Sequence, residues 1–454
     1  MKTLHTPNRE EQALAEVGHT AISPRVAWLL CTVFLLTVCS VSVIQTGIEV
    51  RSARRDSDAS SERRLLGPFR DFAARLPQIR AIRKQAGFFA ANHALLEAMN
   101  DFEDELEEGS FLRQRLLPPV QRLMTSRLGV GNEQAYLGRD GWLFYRPDVD
   151  YVTGRGFLEP EVLRSRARSG DQWDPPPQPD PIAALIDFDR QLSERGIRLL
   201  VLPIPVKPMI HPEHFAPGAA NVGEGLVPSQ RPAVRTLNNP SYKVFLQQLT
   251  SEGIEVVDVV PLLADARDAS AKPQYLQADT HWTPEAMELA ARELARRVQE
   301  FTQFETSPDT GYLRRKVVVE NIGDIATMLH LPAGQQLFTN EQMTIQRILT
   351  FEGRPWRSDP NAQVLLLGDS FTNIYSVDRL GWGAGAGLAE QLSYYLQQPV
   401  DKIALDAGGA HAGRQALARE LANGKNRLTG KKVVIYQFAM RELAFGDWQV
   451  IPLQ

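Results

Sequence analysis

Cysteine is nearly absent: the chain of 454 residues has 2, Cys31 and Cys39, both inside one apolar stretch. Everything after it lacks thiols, which excludes a disulfide framework and a cysteine-built zinc site there. A thiol-free domain is compatible with an oxidising compartment. Positive charge is not in excess either: 50 Lys and Arg stand against 54 Asp and Glu, a net charge of -4. With no basic surplus there is no electrostatic footprint for nucleic acid. No internal repeat is evident. What remains is 43% hydrophobic and 23% charged, a composition with room for a real core in one large domain or two ordinary ones.

One long uncharged run occurs, VAWLLCTVFLLTVCSVSVI from Val26 to Ile44. At about 1.5 Å per residue it nearly matches a hydrocarbon core of about 30 Å, and we read it as one transmembrane helix. Ser40 and Ser42 are small enough for a cleavable leader. The run is longer than a usual leader core, however, and a polar tail over residues 1–25 precedes it, so an uncleaved anchor is expected. Lys2, Arg9 and Arg25 flank one end; Arg51, Arg54, Arg55, Arg63 and Arg64 flank the other. Taken alone, that bias keeps the C-terminal part in the cytoplasm.

After the run, residues 51–62 read as a flexible, Ser-rich linker. Helical spacing follows over 69–96 and 98–117, the second with an acidic block from Asp101 to Glu108 that reads as a solvated face. YLGRDGWLFY (136–145) has the turn chemistry of a hairpin. DPPPQPDP (174–181) reads as a stiff connector. Apolar runs then alternate with helical stretches: strands at 198–204, 254–260, 364–370, 402–409 and 432–438, and helices at 182–195, 240–252 and 413–422. Short continuous apolar strands between helices predict an α/β fold with a parallel sheet covered on both faces. Chemistry in such sheets sits beyond the carboxyl ends of the strands.

Three strand ends carry candidate chemistry. VLLLGDSF places Ser370 where a buried strand turns into a helix, so its backbone N–H can face a developing oxyanion. Asp and Ser are equally ordinary turn and cap residues. In QADTHWTPEAM, Thr283 and Pro284 form a cap and first-turn pair, which leaves Asp279 and His281 in extended backbone just before a helix. Residues i and i+2 then point to one side, and a carboxylate can orient the imidazole as in a Ser-His-Asp triad; a surface pair is the bland alternative. In VLPIPVKPMIHPEH, Lys207 projects from a proline-stiffened turn, either toward an anionic or hydroxyl-rich ligand or into solvent. His211 and His214 are interrupted by Pro212 and have no further ligands nearby, so no metal site is expected.

GDSF (368–371) together with DTHW (279–282) resembles the SGNH-hydrolase-like alginate O-acetyltransferases, exported proteins that acetylate alginate and related polysaccharides. GRDGWLFY (138–145), PVK (205–207), GDIATML (323–329) and FAMRELAFGDW (438–448) extend the resemblance from Tyr136 to Trp448. Ordinary SGNH esterases place the serine first; here the Asp/His pair precedes it, the circularly permuted order of this group. The resemblance implies an SGNH-hydrolase-like parallel sheet flanked by helices, preceded by one transmembrane helix. The domain plan is then a tail (1–25), a membrane helix (26–44), a linker and helical juxtamembrane region (45–130) and an acetyltransferase domain (131–454).

It further implies an acetyl-Ser370 intermediate, with His281 as general base, Asp279 orienting it, and an oxyanion hole from the N–H groups of Ser370 and Gly409. Lys207, Tyr375 and Arg441 are candidates for a groove holding the polysaccharide acceptor. No cofactor is implied. The implied partners are a membrane-bound O-acyltransferase that supplies acetyl groups and other exopolysaccharide assembly proteins. The implied location is the cytoplasmic (inner) membrane with a periplasmic catalytic domain, against the arginine bias. A carbohydrate esterase with the same triad and a non-catalytic scaffold remain the alternatives.

Overall fold

A computed structural model describes residues 23–36, 40, 66–108, 111–169, 176–215, 236–302, 311–406 and 408–453. The chain divides into two units, Met1–Leu117 and Pro118–Gln454. In the first, residues 24–36 are helical. Among the described residues no helix is long and apolar enough to cross a membrane. Residues 37–39 and 41–44 of the expected span, the linker at 51–62 and most of the tail lie outside the described residues.

The helical segment Leu66–Glu108 breaks at Gly87, where φ is 91°. Sequence spacing puts the break near residue 97. Gly87 takes it instead, because the left-handed φ carries no Cβ penalty there. The second arm folds back on the first: the Phe102 ring lies 4.8 Å from Phe69 and 5.3 Å from Phe72, and Arg75 pairs with Asp101.

In the second unit the described strands are β1 (Ala135–Leu137), β2 (Leu143–Tyr145), β3 (Arg198–Ile204), β4 (Glu255–Val256), β5 (Tyr312–Asn321), β6 (Glu341–Thr350), β7 (Val364–Gly368), β8 (Asp401–Ala404) and β9 (Val433–Ala439). Five form a sheet in the order β4-β3-β9-β7-β8, and every pairing in it is parallel. β9 lies at the centre, in residue-for-residue register with β3 from Arg198↔Val433 to Ile204↔Ala439. Every residue of β7 and β9 is buried. This is why VLLLG and VVIYQFA read as continuous apolar runs and not as alternating ones. Each fully buried Val, Leu or Ile here contributes about 1.5–3 kcal/mol.

The expected hairpin is β1–β2, with Asp140 (φ 54°) and Gly141 (φ 79°) at its turn, the paired positive angles that a two-residue turn requires. The expected helices appear at Pro181–Ser193, Tyr242–Ser251 and Ala412–Ala422. The strand expected at 254–260 shrinks to β4. Asp258 accepts a hydrogen bond from the Val260 N–H at 3.0 Å and turns the chain into the helix Val260–Ser270.

The ribbon β5–β6, antiparallel from Tyr312↔Thr350 to Asn321↔Glu341, was not foreseen. Arg314, Arg315 and Lys316 interrupt its pattern. Arg314 is accommodated because its guanidinium lies 4.1 Å from the Tyr394 ring and 4.8 Å from the Tyr395 ring, a cation–π arrangement.

Candidate active site

Ser370 owes its position to a glycine and a glutamine. β7 ends at Gly368, where a Cβ would stand 2.2 Å from Thr372 Oγ1 and 2.8 Å from Gln437 Oε1. Glycine is therefore required for space, not for an unusual φ. Gln437, the one amide side chain in β9, reaches across the strand end. Its Oε1 accepts from the Asp369 N–H (3.0 Å) and Thr372 Oγ1 (2.7 Å), and its Nε2 donates to Asp369 Oδ1 (2.8 Å). Asp369 also accepts from the N–H groups of Phe371 (2.8 Å) and Ala439 (2.9 Å). The Asp of the GDS motif is thus a cap that locks the turn. Ser370 is the first residue of the helix Ser370–Asn373, so its own N–H has no acceptor within that helix.

The second half of the site comes from the loop between the helices Val260–Ser270 and Pro284–Phe301. Tyr275 and Trp282 bridge its base, and Thr283 caps the following helix by accepting from the Ala286 N–H at 3.3 Å. Trp282 donates its indole N–H to the Phe371 carbonyl at 3.2 Å, and the Tyr375 hydroxyl donates to the Trp282 carbonyl at 2.6 Å. These two bonds tie the loop to the serine turn.

The outcome is a continuous relay. His281 Nε2 lies 2.8 Å from Ser370 Oγ, and His281 Nδ1 lies 2.7 Å from Asp279 Oδ1. Asp279 Oδ1 also accepts the His281 backbone N–H (3.0 Å). Its Oδ2 accepts the Trp382 indole (2.8 Å) and the Asp324 backbone N–H (3.0 Å). Burial pushes Asp279 up, but the hydrogen bond and charge of His281, with Trp382, prevail and hold it at about 2. Burial lowers His281, and the Asp279 hydrogen bond and charge outweigh that, leaving it raised above 6.5. A carboxylate that stays ionised and an imidazole of raised basicity suit proton transfer from a serine hydroxyl.

A cavity of about 270 Å³ is lined by Ser370 together with, among others, Tyr145, Gly368, Gly409 and Arg441. Gly409 (φ 68°) opens a short helical turn on its wall. Arg441 donates to Asp148 Oδ1 at 3.1 Å, and its guanidinium lies 5.3 Å from the Tyr145 ring. Burial opposes the charge on Arg441, but Asp148 and Asp369 keep it protonated. Burial pushes Asp148 up against the pull of Arg441, and its Oδ2 has no partner among the described residues.

Two groove candidates are corrected. Lys207 is fully buried, and its ammonium donates to the carbonyls of Leu143 (2.6 Å) and Gln277 (3.2 Å). Burial lowers it to about 8. Tyr375 is fully buried too, spent on the Trp282 carbonyl. Neither reaches a groove: each packs under the site instead. Gly409 and Arg441 do line the cavity beside Ser370.

His211 uses Nδ1 on Glu213 (2.8 Å) and Nε2 on the Gln274 N–H (3.0 Å), while His214 stacks on Trp142 at 4.4 Å. Asp279, His281 and Asp324 hold ligand atoms within 4.8 Å of one another. A cation there would have to displace the hydrogen bonds on Asp279. Tyr145, Asp148, Asp324 and Trp382 escaped sequence reasoning as site residues. Trp382 sits in the glycine-rich GWGAGAG, which gave no cue.

Residues 135–440 match the family described as "SGNH hydrolase-like domain, acetyltransferase AlgX". The probable alginate O-acetylase AlgJ of Pseudomonas aeruginosa is 27% identical over 246 residues, 52% of this chain and 53% of that protein. The probable alginate O-acetylase AlgJ of Pseudomonas fluorescens is 25% identical over 268 residues, 56% of this chain and 59% of its own. The chain thus spans about half the length of the curated relatives it matches. Among solved structures, the O-acetyltransferase domain of Pseudomonas putida AlgJ is similar at 16% identity and a TM-score of 0.48, covering 70% of this chain and 94% of that one. Because the match runs from the hairpin strand β1 to the residue after β9, well over half of the chain, the protein belongs to the SGNH hydrolase-like, AlgX acetyltransferase family.

Proposed function

We propose that this protein is an O-acetyltransferase that carries acetyl groups on Ser370 and delivers them to hydroxyls of an exported polysaccharide of the alginate type. The observation that carries this reading is the unbroken chain Asp279–His281–Ser370, with Nε2 at 2.8 Å from Oγ.

In the first half, Ser370 Oγ attacks the acetyl carbonyl carbon while its proton passes to His281 Nε2. The bond from that carbon to the donor's leaving group breaks, and the proton goes to the leaving group. The oxyanion rests against the N–H of Ser370, with Gly409 as the second donor. In the second half a sugar hydroxyl replaces the donor: His281 takes its proton, its oxygen attacks the acetyl carbon, the Ser370 ester bond breaks, and His281 returns the proton to Ser370 Oγ. Arg441, positively charged on the cavity wall, holds an anionic or hydroxyl-rich acceptor. Transfer wins over hydrolysis only if the bound sugar displaces water from the acyl-serine.

The apolar run over residues 26–44 anchors the protein to the cytoplasmic membrane, with the catalytic unit in the periplasm. A multi-spanning membrane O-acyltransferase supplies the acetyl group, and other exopolysaccharide assembly proteins are neighbours. The length of the apolar run supports the anchor, and the resemblance of GDSF and DTHW to exported acetyltransferases supports the orientation. A C-terminal reporter that is active only in the cytoplasm would overturn the orientation.

The enzymatic test is intact-mass measurement after exposure to an activated acetyl ester. A mass gain of one acetyl group on the wild type, absent from Ser370→Ala, is expected. Adding an oligosaccharide acceptor should then move acetyl to sugar. Acetate alone with no acetylated sugar would identify an esterase. Unchanged polymer acetylation in cells carrying Ser370→Ala would leave only a scaffold.

A further inference from the structure

The imidazole of His281 faces two carboxylates, not one. Nδ1 is 2.7 Å from Asp279 Oδ1 and 3.7 Å from Asp324 Oδ2. The two acids differ in environment: the Asp279 side chain is 2% exposed and that of Asp324 is 32% exposed. Asp324 is also built into the loop it faces. Its Oδ1 accepts the Thr280 N–H at 2.7 Å, and its own N–H donates to Asp279 Oδ2 at 3.0 Å. Gly323 before it (φ 95°) packs so tightly that a Cβ would stand 2.4 Å from the Ala278 carbonyl oxygen. The Gly323–Asp324 step thus grips the Asp279–His281 loop from outside, and the second carboxyl oxygen is left turned toward the imidazole.

We propose that Asp324 is a positioning residue for the reaction: a second, solvent-touched carboxylate that clamps the catalytic loop and adds its negative charge to that of Asp279 beside His281. The proposal rests on the reading of Ser370 and His281 as nucleophile and base. Asp279, which accepts four N–H donors, orients the ring and supplies the larger part of its raised basicity. The added negative charge of Asp324 stabilises the imidazolium that forms when Ser370 gives up its proton. Because Asp324 shares its neighbourhood with ionised Asp279, its own ionisation is opposed. Burial and the charge of Asp279 raise it to about 6, where a change in pH changes the charge at His281.

The other groups facing this cluster are Tyr145 at the end of β2, Lys207 after β3, and Glu341 at the start of β6. Asp148 and Arg441 face His281 from the cavity side. The positive charges of Lys207 and Arg441 partly offset the acids. Tyr145 is neutral in the range concerned, and the ionisation of Glu341 is shared by wild type and variant.

Asp324→Asn tests this. The amide oxygen keeps the Thr280 N–H bond and the backbone bond is untouched, so only the charge is removed. The His281 imidazole, followed by NMR titration, should lose its proton at a pH lower by half a unit or more than in the wild type. The acidic limb of kcat/KM for acetyl-ester cleavage should move down by the same amount. kcat should fall at least threefold, with KM for the ester within twofold. An unmoved His281 titration with an unmoved limb overturns the proposal, whether kcat falls or not, because it leaves Asp324 only a structural clamp. The titration does not depend on turnover. If Ser370→Ala cleaves the ester as fast as the wild type, the catalytic reading itself fails, and the two failures are read separately.

Discussion

Trp382 donates its indole N–H to Asp279 Oδ2 at 2.8 Å, so the third member of the triad is gripped by a residue 103 positions away, in a loop outside the sheet. A buried carboxylate that loses a donor pays desolvation with nothing in return. Trp382→Phe keeps most of the packing and removes this one bond. It should cost about 1–3 kcal/mol of stability and lower kcat about tenfold at constant KM. Chemical denaturation and acetyl-ester kinetics measure the two; a variant equal to wild type in both would show the indole bond to be idle.

Ser370→Ala and His281→Ala should each reduce acetyl transfer about 1000-fold or more, and the double variant should be no worse than either alone, as expected of residues acting as one unit. Single-turnover acetylation of the purified protein gives the comparison. Additive losses would mean that the two side chains act separately.

The pH profile follows from the raised basicity of His281. The base must be neutral to accept the serine proton. A raised folded-state value keeps it protonated to higher pH, so activity is lost as pH falls through that value. The acidic limb of kcat/KM should lie above 6.5, the ordinary imidazole value. A limb centred at or below 6.5 would contradict the Asp279–His281 coupling.

Lys207→Ala separates an internal strap from a ligand-binding lysine. It leaves the Leu143 carbonyl without its ammonium donor and opens a void beside Trp142 and Phe144, whose rings the ammonium overlies at 5.7 and 5.6 Å. The expected loss is about 2–4 kcal/mol of stability, read by thermal or denaturant unfolding. A large rise in acceptor KM with no loss of stability would restore Lys207 to the groove.

Gly323→Ala should be severe for a different reason. The new methyl group meets the Ala278 carbonyl oxygen at 2.4 Å and the Asp279 nitrogen at 2.9 Å, at a residue with φ 95°. The loop must shift, and kcat should fall at least tenfold while the ester KM changes little. Normal kinetics in this variant would show that the loop tolerates displacement.

The legible parts of this protein were those governed by local rules. The runs at 198–204 and 432–438 read as strands because both faces of β3 and β9 are covered. Thr283-Pro284 read as a helix start because capping is a matter of neighbouring residues. Asp279, His281 and Ser370 were legible through their motifs and their order. Lys207 and Tyr375 were misplaced because burial depends on the whole fold: a lysine after a proline-stiffened turn looks the same on paper whether it ends in water or under a tryptophan. Trp382 and Asp324 were invisible as site residues because their partners lie far away in the chain. The β5–β6 ribbon was hidden by arginines that find aromatic faces only after the chain has folded.

The placement of β9 has a consequence for the order of events during synthesis. Strands β4 and β3 leave the ribosome early, β7 and β8 much later, and nothing in the sheet joins the two pairs until Val433–Ala439 slides between them. Gln437, which holds the turn bearing Ser370, arrives on that same final strand. A chain that β9 has yet to join therefore lacks the Gln437 and Ala439 bonds that lock the Ser370 turn, although the Trp282 and Tyr375 bonds already tie that turn to the Asp279–His281 loop.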